Sequence, residues 1–235
     1  MDLLWEGFRE AIRLLSRGDA LVLSAAVRSI WISSFAVGLA TIIGLPVGTL
    51  LARVSFPGRG LVVLGLRAAM AFPTVLIGIL CYAMFSRRGP MGPLEWLYTP
   101  WSIVCGEFLL AFPLVVSLSH TAIRSLDPRV AETAWTLGAG PLRRWQTYLS
   151  EARSGILLAI LTAYSRCVTE LGIAMMVGGN IKDRTRTLAT ATALETGKGE
   201  FGRGLAMGLV LLVIASTVMA TIVYLGREDK HEGSR

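Results

Sequence analysis

Arg166 and Glu170 are the residues best placed for chemistry: opposite charges four positions apart in an otherwise apolar stretch. Positions i and i+4 share one helix face, and charges inside an apolar span are costly unless paired or facing a polar cavity. Two readings follow. In one, an intrahelical ion pair neutralises both. In the other, Arg166 is a weak anion station facing a polar cavity and Glu170 locks the helix packing. Glu107 and His120 also interrupt an apolar stretch, near its two ends, and read as structural. Lys182, Arg184 and Arg186 lie among threonines 185, 187, 190, 192 and 196. Such a basic, hydroxyl-rich connection suits an acidic protein surface or an oxyanion, and a plainly solvated loop fits it equally well.

Catalytic constellations are missing. The chain contains no GxxxxGK[ST], HExxH or GxSxG sequence, and its two histidines, His120 and His231, are far apart. Cys81, Cys105 and Cys167 have no metal-ligand spacing and read as small apolar residues within helices.

The elements that must position these residues are membrane spans. The chain is 53% hydrophobic and only 17% charged, against about 25% charged in soluble domains. Segments 29–52, 68–86 and 204–226 carry no charge, and about 20 apolar residues cross a bilayer as a helix. Segments 101–123 and 154–181 add two spans, each interrupted by one pair of polar residues. The reading is an all-α integral membrane protein with five transmembrane helices. Continuous apolar runs, rather than alternation, disfavour a β-barrel. Residues 1–23 space Arg9, Arg13 and Arg17 among Phe8 and Ile12 like an amphipathic surface helix, without the apolar region of a signal peptide. Residues 24–226 form one transmembrane domain and 227–235 a tail, with no internal repeat. Lys and Arg of the connecting segments divide evenly between the two sides, so the positive-inside rule leaves orientation open.

The connection 127–151 stands out because it is long and helix-compatible. Asp127 and Pro128 form a favoured helix start, Gly138 and Gly140 interrupt it, and Pro141 begins a second short helix. Two short helices meeting at a glycine break, outside the bilayer, are expected.

This connection resembles the EAA loop of ABC importer permeases. Glu132-Thr133-Ala134 stands where the family has Glu-Ala-Ala, Gly138 falls at the family's glycine, and Pro141-Leu142-Arg143 follows as in molybdate, tungstate and sulfate permeases. Thr133 departs from the pattern, as does Tyr148-Leu149-Ser150-Glu151, which lacks the usual proline. Further likeness lies in Leu51-Ala52-Arg53 with Phe56-Pro57-Gly58, in Phe72-Pro73-Thr74-Val75, and in Thr169-Glu170-Leu171-Gly172. The stretch Gly172 to Ile181 and the threonine-rich segment after it are most similar to tungstate permeases.

The resemblance implies a type I ABC importer permease whose N-terminus is outside, whose C-terminus is inside, and whose coupling loop is cytoplasmic. It implies a multi-pass protein of the cell (inner) membrane that carries an oxyanion, tungstate before molybdate or sulfate, and binds no cofactor itself. ATP and Mg belong to a partner ATPase. The partners implied are a second copy of the chain, ABC ATPase subunits, an extracytoplasmic oxyanion-binding protein and the lipid bilayer; nucleic acid is not among them. Glu132, Ala134, Gly138, Pro141, Leu142, Arg143, Arg144 and Trp145 would meet the ATPase. Pro73, Arg166 and Glu170 would border the path, and Lys182, Arg184 and Arg186 its outer mouth. A secondary transporter is the alternative from another class, disfavoured by the missing repeat.

Overall fold

The computed structural model describes residues 2–232. Helix α1 (Asp2–Arg17) stops before Gly18, which takes φ 65°. The Asp19 carboxylate then caps α2 (Ala20–Arg53), accepting from Leu21 N at 2.8 Å and Val22 N at 3.3 Å. The first helix therefore ends before the boundary expected at 23, because a left-handed glycine followed by an acidic cap resets the chain. The others are α3 (Arg59–Ala69), α4 (Thr74–Phe85), α5 (Pro100–Arg124), α6 (Pro128–Thr136), α7 (Pro141–Glu151), α8 (Arg153–Val168), α9 (Gly172–Gly178), α10 (Leu188–Gly197) and α11 (Phe201–Glu232). Helix α11 continues through most of the expected tail; Met1 and residues 233–235 lie outside the described residues.

Among the described residues, three helices, α2, α5 and the Phe201–Val218 part of α11, are long and apolar enough to cross a membrane, and five spans result if each of two bent pairs counts as one. The bent pairs correct two expectations of continuous helix. Segment 68–86 breaks between α3 and α4, which meet at 99°. Pro73 is responsible: it cannot donate to the preceding turn, its ring disfavours helical geometry at Phe72, and it sits at the cap of α4 rather than inside a span. Segment 154–181 breaks between α8 and α9, with a bend of 56°.

Helices α2 and α5 form the spine, with α8, α9 and α4 packed around α5 and with α10 and α1 against α11. Small residues permit the central contact. A Cβ at Gly44 would lie 3.1 Å from Val115 Cγ1, and one at Gly48 would lie 3.1 Å from the Val116 carbonyl. Close backbone approach of this kind replaces the hydrophobic drive that lipid cannot supply between helices. Outward positions are apolar: Ile42 is 72% and Leu61 75% exposed. A surface so apolar over several helices belongs in lipid.

Candidate functional site: the α6–α7 loop and the α8–α9 break

The connection 127–151 is two helices joined by a tight turn. Asp127 accepts from Arg129 N at 2.8 Å to begin α6. Gly138 ends it at φ 68°. Ala139 N donates to the Ala134 carbonyl and Gly138 N to that of Trp135, both at 3.0 Å, the paired closure that a left-handed residue completes. Helix α7 then starts at Pro141. Its exit needs no proline: buried Ala152 alone separates α7 from α8 and turns the chain.

The two faces of this loop differ. Ala134 and Tyr148 are buried, and Trp145 is half-buried with its indole nitrogen enclosed. Trp145 and Tyr148 line an opening of about 640 Å³ against Pro46 and Leu50 of α2. Arg53 fastens the same side, stacking 4.4 Å over the Tyr148 ring and donating to the Ile123 carbonyl at 3.0 Å. Ala134 and Trp145, expected as partner contacts, thus face their own chain. Glu132, Gly138, Pro141, Leu142 and Arg143 are exposed. Arg144 is half-buried, 4.0 Å over the Trp135 ring, so its charge is engaged by an aromatic face. Trp135 and Leu137, 66% and 79% exposed, are apolar residues outside the motif; their position just before Gly138 is the sequence signal for them. Between the helices runs a cleft of about 650 Å³ whose lining includes Asp127, Thr133, Leu137, Arg143 and Glu151.

At the α8–α9 break, Arg166 Nη1 lies 3.1 Å from Glu170 Oε2. The pair is made, but across a helix end and not within one helix, because α8 stops at Val168. The other carboxylate oxygen, Oε1, accepts from Gly172 N at 2.8 Å and Ile173 N at 3.3 Å. One buried side chain thereby caps α9 and holds an arginine whose own side chain is 48% exposed. Glu170→Ala is expected to destabilise the fold by about 1–2 kcal/mol through loss of the cap, whereas Glu170→Gln, which retains a capping oxygen, should lose clearly less. Thermal unfolding in detergent measures both, and equal losses would contradict the capping role.

Pro73 lies at the α3–α4 break, with Phe72 and Val75 each 51% exposed beside it. The nearby α9 is tied to α4 by Gly78, where a Cβ would come within 2.9 Å of Met176 Cβ. Lys182 and Arg184 are exposed, while Arg186 is half-buried and its carbonyl accepts from Arg28 Nη1 at 2.9 Å. The hydroxyls around them are not free. Thr185, Thr187 and Thr190 are buried; Thr185 Oγ1 accepts from Ile181 N, and Thr187 with Thr190 builds the capping box of α10. Glu107 and His120 are each 2% exposed. Glu107 therefore lies in the protein interior, because α5 is surrounded by other helices.

A profile of the binding-protein-dependent transport system inner membrane component matches residues 44–228, most of the chain. The chain belongs to that family of ABC transporter permeases. Within the family, it is 38% identical over 215 residues to the tungstate uptake system permease protein TupB of Campylobacter jejuni, covering 92% of this chain and 90% of the relative. It is 33% identical to the TupB of Peptoclostridium acidaminophilum, over 97% of this chain and all (100%) of the relative. Among solved structures, the inward-facing methionine ABC transporter MetNI superposes with a TM-score of 0.70 at 17% identity, covering 88% of this chain and 95% of that one. At that identity the likeness speaks for the fold. A permease of this family is the membrane subunit of its transporter, not the catalytic ATPase subunit.

Proposed function

We propose that this chain forms the membrane path of a tungstate importer, as a homodimer driven by ATPase subunits and fed by an extracytoplasmic binding protein. The reading is carried by likeness along nearly the full length of two tungstate permeases. Molybdate and sulfate, tetrahedral dianions like tungstate, are the runner-up cargoes. The N-terminus lies outside, the C-terminus inside and the α6–α7 loop in the cytoplasm.

On this reading the ATPase groove receives the outer face of the loop. Exposed Leu137 and Leu142 support it, because covering large apolar side chains returns about 1.5–3 kcal/mol each when fully buried. The inner face, clamped by Arg53, Tyr148 and Trp145, makes the loop a lever fixed to α2 and α8, so rotation of the ATPase reaches the spans as a rigid-body movement. Apolar residues around Pro73, together with exposed Leu171 and Met175, offer the second copy a surface at the path, with Arg166 as a weak station. Weak sites suit import, since ions must leave as well as enter. Lys182, Arg184 and Arg186 meet the binding protein.

Uptake into proteoliposomes containing the permease, its ATPase and the cognate binding protein tests the cargo. Labelled tungstate should accumulate with ATP, and excess unlabelled tungstate should suppress it more strongly than molybdate or sulfate. Uptake of another anion unaffected by excess tungstate would contradict the reading.

A further inference from the structure

Near the end of α5 that leads into the α6–α7 loop, an opening of about 350 Å³ is lined by Val63, Arg67, His120, Thr121, Arg124 and Ser125. Arg67 comes from α3; the others, apart from Val63, come from the last turns of α5 and its cap. Arg59, at the start of α3, also reaches this place, its Nη2 lying 3.4 Å from His120 Nε2. A guanidinium has donors only. His120 Nε2 must therefore accept, which assigns the ring proton to Nδ1. His120 is 2% exposed, and its Nδ1 has no hydrogen-bond partner. Nδ1 has no accessible surface, so it takes no part in contacts at the opening.

The rest of the lining has the same sign. Arg67 and Arg124 are exposed and in no ion pair among the described residues. The lining contains no carboxylate. Thr121 and Ser125 spend their hydroxyl protons on the Ser117 and Ala122 carbonyls, at 2.9 Å and 2.8 Å. The spare hydrogen-bonding capacity of the charged groups at the opening is thus all donor: two guanidinium forks. Guanidinium forks match oxygen pairs on one central atom.

We propose that Arg67 and Arg124, beside the buried His120, form a binding site for a tetrahedral oxyanion. With the orientation proposed above, it lies at the cytoplasmic end of the path, and its assignment to the cargo rests on the tungstate-importer reading. A phospholipid headgroup phosphate presents the same oxygens, so the chemistry is shared and the source is decided by experiment. Both arginines are exposed, which keeps the site in contact with solvent, weak and salt-sensitive.

The full-length chain, purified in detergent, would be compared with Arg67→Gln,Arg124→Gln and with Arg67→Lys,Arg124→Lys. Equilibrium dialysis counts bound tungstate, and native mass spectrometry counts retained anionic phospholipid. One saturable ligand per chain is expected, weakened at least tenfold in the glutamine pair and less in the lysine pair, which keeps charge but loses the fork. Tungstate behaving this way assigns the site to the cargo; a retained phospholipid behaving this way assigns it to the headgroup. If neither ligand responds to the substitutions, the site is overturned. The two proposals fail separately. Wild-type proteoliposomes without tungstate uptake would remove the cargo reading and leave the phospholipid arm standing. Normal uptake with binding unchanged in the glutamine pair would remove only the site.

Discussion

A Gly138→Asp permease is expected to insert and assemble, yet to import its oxyanion at least tenfold more slowly. Gly138 takes φ 68° in the turn between α6 and α7, where a side chain costs about 1–2 kcal/mol. A Cβ there meets nothing within 4 Å, so the added group projects outward and the fold tolerates it. It projects, however, into the cleft that Leu137 also lines, on the face proposed to enter the ATPase groove. A carboxylate there must be desolvated on docking, at a cost its apolar neighbours cannot offset. Gly138→Asn separates the two effects, since asparagine tolerates the left-handed region and carries no charge. Uptake should rank wild type, then Asn, then Asp, while thermal stability of the three stays within about 2 kcal/mol. Normal uptake by stably assembled Gly138→Asp would defeat the coupling account.

The second large effect is structural. Gly106 of α5 is the point where α4, α5 and α9 converge: a Cβ there would overlap Ile173 Cγ2 and lie 3.9 Å from Cys81 Sγ. Ile173 is fully buried, at 0% exposure, and Cys81 nearly so, so neither can move aside. Overpacking of a close-packed site costs about 1–3 kcal/mol, and roughly 2–4 °C of Tm per kcal/mol applies to chains of this length. Gly106→Leu is therefore expected to lower the melting temperature by several degrees or to prevent assembly. Gly106→Ala should do so more mildly and be partly rescued by Ile173→Ala. A melting temperature unchanged in Gly106→Leu would mean that this contact is looser than the structure has it.

Helix boundaries in the α6–α7 loop were legible because the residues that set them act locally. Asp127, Pro128, Gly138 and Pro141 each impose their turn through their own backbone or side chain. The spans were legible from the length of uncharged runs. What escaped depends on partners distant in sequence or on geometry that composition does not carry. Pro73 was visible, but whether a proline kinks a span or splits it depends on what packs beside it; here the halves meet at 99°. Pro113, by contrast, lies inside an unbroken α5. Glu170 reads as half of an i,i+4 pair, and nothing in that spacing says that its second oxygen caps a new helix. Thr185, Thr187 and Thr190 look like a solvated hydroxyl cluster until the backbone groups they serve are in place. On the loop, identity of motif pointed to Ala134 and Trp145, whereas exposure points to Trp135 and Leu137. A motif marks the positions that shape a loop, and those that hold it to its own chain can dominate it.

The most direct test of the central claim, that the outer face of α6–α7 is cytoplasmic and covered by the ATPase, is accessibility of a thiol at Leu137. That residue is 79% exposed, whereas native Cys81 and Cys167 are buried and Cys105 is partly so. A membrane-impermeant maleimide should label Leu137→Cys in inside-out vesicles stripped of the ATPase, lose that labelling when the ATPase is added back, and leave right-side-out vesicles unlabelled. Labelling in right-side-out vesicles, or labelling indifferent to the ATPase, would contradict the account.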